Sequence, residues 1–180
     1  MAYRNGTYVA FNGMDTTDPT QSDMKYYGLL QAWNTSNKHD FTFSDSHKKT
    51  YSVQDSSSIE TLKNRLLERF RDSKHLLIIA TEFASINRGL LNWEIEKAVE
   101  TYSLPVIVVY PGFEFISDSI PSRLPDKLIQ YIREEKVKSI HIPFKQVVID
   151  TAIDEVSLNN PPKFTVTVYT DDFYKKLGLK

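Results

Sequence analysis

Two stretches restrict the fold of this chain more than anything else in it. They are Leu76-Leu77-Ile78-Ile79-Ala80 and Leu104-Pro105-Val106-Ile107-Val108-Val109-Tyr110. Neither alternates apolar with polar residues. A strand without polar positions needs cover on both faces, which a parallel sheet clad by helices supplies. Both runs are also far shorter than the ~20 apolar residues of a membrane span. Pro105 stands near the start of its run, where a missing amide does least damage.

The segments around these runs alternate in kind. Thr7 to Phe11 is a β-rich run broken by Asn12-Gly13, and Asp23 to Ser36 reads as a helix with Tyr26, Leu29, Leu30 and Trp33 on one side. Phe41 to Phe43 is a short second strand, leading into the polar loop Ser44 to Lys49. Ser57-Ser58-Ile59-Glu60 has the form of a capping box, and Ile59, Leu62, Leu66 and Phe70 behind it mark one helical stripe. Asn87 to Tyr102 reads as a helix with Leu91, Ile95, Ala98 and Val99 inward, and Pro125 to Lys136 as another with Leu128, Ile129 and Ile132 inward. Ser139 to Ile142 makes a fifth strand. Strand and helix in this order predict an α/β fold, a doubly wound parallel five-stranded sheet flanked by helices.

One domain is expected over residues 1–180, with a core of about 5–144 and a C-terminal extension of 145–180. Within the extension, Lys145 to Val156 suits a helix or a strand, and Lys163 to Tyr169 suggests a late edge strand.

Composition removes several functions. Lys plus Arg number 22 and Asp plus Glu 23, so no basic field exists to hold a nucleic acid. The chain has no cysteine, which excludes a thiol nucleophile, disulfides and thiolate-bound metals. His39, His47, His75 and His141 are scattered without metal-ligand spacing, so no metal is expected. Met1 to Gly6 has no apolar region behind its charge, and a cytoplasmic protein without membrane contact is expected.

In an open parallel sheet, ligands gather beyond the carboxyl ends of the strands. The loop there after the first strand carries Asn12, Asp15, Thr16, Thr17 and Asp18 but only one glycine, so neither a dinucleotide nor a phosphate loop is present. On residue types alone, a plain turn with a solvated Asp15 is the preferred reading. His47, Lys48 and Lys49 suit an anionic ligand or a solvated tip equally. Glu94 lies one step from the apolar face of its helix. A carboxylate half in and half out of a cleft suits acid–base or oxocarbenium chemistry, although most helix charges are only solvated.

The same segments, taken in order, resemble the Toll/interleukin-1 receptor (TIR) domain family, and more closely its bacterial Thoeris B branch. Tyr8 to Asp15 looks like the family's first box, Phe-x-Gly-x-Asp at a strand end; Leu76 to Thr81 looks like its third strand. Asn92 to Ala98, with the strand after it, looks like the glutamate-bearing helix. The Arg-Asp-x-x-Pro-Gly box of receptor-type members is absent, and Arg88 to Leu91 replaces the usual Trp-Cys.

The resemblance implies a flavodoxin-like, TIR-like fold and NAD cleavage in bacterial antiphage defence. NAD or a related nucleotide would be the substrate, with no further cofactor. Glu94 would be catalytic, and Phe11, Asn12, Asp15 and Asp45 would line the cleft, with Phe11 or Trp93 stacking on a base. The resemblance also implies silence until assembly or a trigger, self-association, and a companion effector that senses a nucleotide product. Two other readings fit similar folds: a nucleoside deoxyribosyltransferase-like enzyme and a non-catalytic interaction module.

Overall fold

The two apolar runs lie side by side at the centre of one sheet. The computed structural model describes residues 4–14, 18, 20–35, 43–44, 59–87 and 90–180. Its strands are β1 (Gly6–Ala10), β2 (Phe43–Ser44), β3 (Ser73–Ile79), β4 (Val106–Tyr110), β5 (Ser139–Pro143) and β6 (Thr167–Val168). They run in the order β2-β1-β3-β4-β5-β6, with every pairing parallel. The expected five-stranded parallel sheet is therefore present, and a two-residue sixth strand extends it. That strand is the expected late edge strand, shortened to Thr167–Val168.

The helices are α1 (Met24–Thr35), α2 (Ile59–Asp72), α3 (Leu91–Glu96), α4 (Asp126–Arg133), α5 (Gln146–Glu155) and α6 (Asp171–Lys176). A π turn over Lys97–Thr101 continues α3, closed by the Tyr102 amide on the Lys97 carbonyl at 3.2 Å.

Strand residues alternate between two cores, as a period of two demands. Tyr8, Ala10, Leu76, Ile78, Val106, Val108 and Tyr110 face α2, α3 and α4. Val9, Phe11, Leu77, Ile79, Ile107, Val109, Ile140 and Ile142 face α1, α5 and α6. The sheet is covered on both sides.

Three details correct the sequence reading. Ile59 is 68% exposed, because the buried stripe of α2 begins only further along, at Leu66 and Phe70. Tyr131 is the second buried residue of α4 beside Leu128, and Ile129 is only partly buried. The undecided segment after Phe144 is helix α5, whose Val148, Ile149, Ala152 and Ile153 pack on the sheet. Ser57 and Ser58, the start of the expected capping box, lie outside the described residues.

Polar pairs tie the late segment to the sheet. The His75 ring lies between the Thr7 hydroxyl (Nε2, 2.7 Å) and the Val156 carbonyl (Nδ1, 2.7 Å). A carbonyl only accepts, so Nδ1 carries the proton and Thr7 donates to Nε2. On the other face the Ser139 hydroxyl donates to the Thr165 carbonyl and so accepts from His141 Nε2 at 2.8 Å; Tyr110 then donates to Nδ1 at 2.7 Å.

Candidate functional site

From β1 the chain crosses outward to β2, and from β3 it proceeds to β4 on the other side. The order reverses between β1 and β3, and the crevice beyond their carboxyl ends is where a doubly wound sheet receives ligands. Asn12 and Thr81 stand at the two strand ends.

Glu94 occupies the first turn of α3, and its side chain turns inward with Leu91 and Ile95. It is 2% exposed, not half exposed as its place beside the apolar face suggested. The Tyr8 hydroxyl donates to Oε1 at 2.6 Å, and Phe70 stacks on the Tyr8 ring with centroids 3.9 Å apart. Burial pushes the Glu94 carboxyl up to about 7, against the lowering effects of the Tyr8 hydroxyl and the Arg69 charge. Such a group changes charge near neutral pH, which suits a catalytic acid or base. Glu96 and Lys97 are partly exposed and paired at 3.3 Å, and Glu100 accepts from the Tyr131 hydroxyl at 2.8 Å.

The other expected site residues divide. Asn12 is buried at the end of β1, where its amide donates to the Phe83 and Ile86 carbonyls (2.7 and 2.8 Å) and its oxygen accepts from the Met14 amide. It thus clips the turn after β3. Phe11 is not brought to Glu94: it points to the opposite face of the sheet and stacks on Tyr27 at 5.2 Å. Strand parity dictates this, since Glu94 meets Tyr8, three residues from Phe11. Trp93 is half-buried beneath the Lys63 ammonium. Asp15 and Asp45 lie outside the described residues, as do His47, Lys48 and Lys49.

The structure adds Asp23, which the sequence marks only as the start of a helix. It ends the loop ahead of α1 and has no exposed surface. Thr81 donates to its Oδ1 at 2.5 Å, joining the start of α1 to the end of β3. Burial pushes Asp23 up to about 7, the Thr81 bond opposing and the Glu82 charge reinforcing the shift. Its sequence signal was the Ser22-Asp23 pair before an apolar helix. Among the described residues no group of three or more His, Asp or Glu side chains could hold a metal ion.

A model of the family described as Thoeris protein ThsB, TIR-like domain, matches residues 8–114, more than half of the chain. The chain belongs to this family. The matched residues of this TIR-like domain run from Tyr8 through Glu94 to the end of β4 and just beyond, so they include both members of the Tyr8–Glu94 pair. Among the described residues of the TIR-like domain, no helix is long and apolar enough to cross a membrane.

Proposed function

We propose that this TIR-like domain is an NAD-cleaving enzyme of bacterial antiphage defence, a cytoplasmic NAD glycohydrolase or ADP-ribosyl cyclase with Glu94 as its catalytic carboxylate. The bond between the ribose C1 and the nicotinamide nitrogen breaks, and its electron pair leaves with nicotinamide, which departs neutral. Positive charge spreads over C1 and the ring oxygen. An ionised carboxylate hydrogen-bonded to the ribose hydroxyls stabilises that charge more in the transition state than in the ground state. Water then adds to C1 and loses a proton, giving ADP-ribose; capture by an internal hydroxyl gives a cyclic nucleotide for a companion effector to sense.

The observation that carries this reading is the Glu94 carboxyl, held by the Tyr8 hydroxyl at 2.6 Å and poised near neutral pH. With 2% exposure it meets a ribose only after the surrounding side chains part, which accords with an enzyme silent until assembled or triggered. The same burial favours a second reading, a non-catalytic module that associates through its surface.

The test measures nicotinamide release from NAD by the wild-type protein and by Glu94→Gln over a range of protein concentrations. Release by the wild type that drops ~100-fold or more in the variant supports the proposal. Equal turnover removes the role of Glu94. Concentration-dependent association without turnover at any concentration favours the second reading.

A further inference from the structure

Asp23 is built in a way that its structural contacts do not explain. Its Oδ1 takes the Thr81 hydroxyl, but its Oδ2 is buried with no hydrogen-bond partner among the described residues. Unmade buried acceptors are costly and native folds carry few. The neighbouring donors are already committed. Thr81 spends its proton on Oδ1 and accepts from the Phe83 amide at 3.1 Å, which fixes its direction. Both Asn12 amide protons go to the Phe83 and Ile86 carbonyls. The Lys25 ammonium sits over the Tyr26 ring, 4.9 Å from its centroid.

We propose that Asp23 is a ligand-binding residue of this domain, whose Oδ2 accepts a hydrogen bond from a ribose hydroxyl of a nucleotide seated at the β1/β3 crevice. The proposal rests on the reading above that the site takes NAD. Position supports it: Asp23 bridges to Thr81 at the strand end where the sheet order reverses, the place where an open α/β sheet receives a nucleotide. Chemistry supports it too. A single open carboxylate oxygen in a dry setting suits one neutral O–H donor. A metal ion would need several oxygens, and no such group exists among the described residues. Because Asp23 is enclosed, the ligand must part Thr81 and its turn from the start of α1 to reach it.

Calorimetric titration of the full chain with NAD tests this, comparing wild type, Asp23→Asn and Asp23→Ser, both of which keep a residue suited to precede a helix. Two NAD analogues, each lacking the hydroxyls of one ribose, complete the set. The expected result is a tenfold or greater loss of NAD affinity in both variants, with one analogue binding wild type and variants alike. At pH 8 the unliganded Asp23→Asn protein should melt at or above the wild-type temperature, since an unpartnered buried charge is gone. Variants that bind NAD as the wild type does overturn the role of Asp23 alone. So does an equal loss on both analogues, or a clear fall in melting temperature, which would mark a structural residue. A wild type that binds no NAD overturns the enzymatic reading, and this inference with it.

Discussion

The Tyr8 hydroxyl reaches from the middle of β1 to Glu94 Oε1 on the first turn of α3, a 2.6 Å bond that spans 86 residues of sequence inside the apolar layer. It supports a buried acid that also feels the charge of Arg69. Replacing Tyr8 by Phe removes the donor and drives the carboxyl further above its ordinary range. A hydrogen bond to a charged group contributes about 1.5–3 kcal/mol, so Tyr8→Phe should lose about that much stability at pH 8 and less at pH 5. Denaturant unfolding at the two pH values checks it.

The proposed activity carries a pH signature. Glu94 titrates at about 7 and acts when ionised, so kcat/KM for NAD should climb with pH through about 7 and level above it. In Tyr8→Phe the climb should move to higher pH. A profile that falls over this range would contradict the ionised-carboxylate role.

Stability should show a plateau. Asp23 and Glu94 are raised from 3.8 and 4.5 to about 7, so each favours folding at low pH and loses that contribution as pH rises to 7. His75 and His141 are lowered by burial from 6.5 to about 3 and about 4, so each favours folding above 6.5 and loses it as pH falls. Between about 4.5 and 6.5 the folded state holds two extra protons on the acids and lacks two on the histidines, and the effects cancel. In the Asp23→Asn, Glu94→Gln double variant only the histidines remain. Stability should then rise across that window by about 1.4 kcal/mol per pH unit for each histidine, as equilibrium unfolding can show.

Ser139→Ala removes the acceptor of His141 Nε2 and the donor to the Thr165 carbonyl together. The cost should be about 1–3 kcal/mol for the buried group left unpaired. Amides of β6 should exchange faster with solvent than those of β3, which separates local release of the edge from global destabilisation.

Phe70→Ala should cost about 3–5 kcal/mol, since the ring is fully buried between Tyr8 and Tyr102. Ile59→Ala, at a side chain 68% exposed on the same helix, should stay within about 0.5 kcal/mol. Melting curves of the two variants decide whether the buried stripe has been placed correctly.

The parts of this fold that periodicity governs could be read from the chain. Leu76 to Ala80 and Val106 to Tyr110 had no polar position, and only the middle of a two-faced layer accepts such a run. Val147-Val148-Ile149 suits a strand as well as a helix, and it is helical with Val148 and Ile149 packed on the sheet and Val147 exposed. The inward turn of Glu94 was legible but masked by its charge. Leu91, Glu94, Ile95 and Ala98 form the i, i+3, i+4, i+7 set of a buried stripe. Parity could likewise have separated Phe11 from Tyr8. Nothing local foretold that Tyr8 would meet Glu94 or Thr81 would meet Asp23, since those contacts depend on how layers 86 and 58 residues apart come together.

The matched residues stop at 114, yet the outer rim of β4 is laced along its whole length to β5, from Val106 opposite Ser139 to Tyr110 opposite Pro143. A fragment trimmed to the family boundary would lay bare an unpaired row of backbone groups on the most water-averse strand, an open invitation to stick to its neighbours. Anyone excising this domain for study should carry the cut past the edge strand and past α6 as well, whose Tyr174 is fully buried against the sheet.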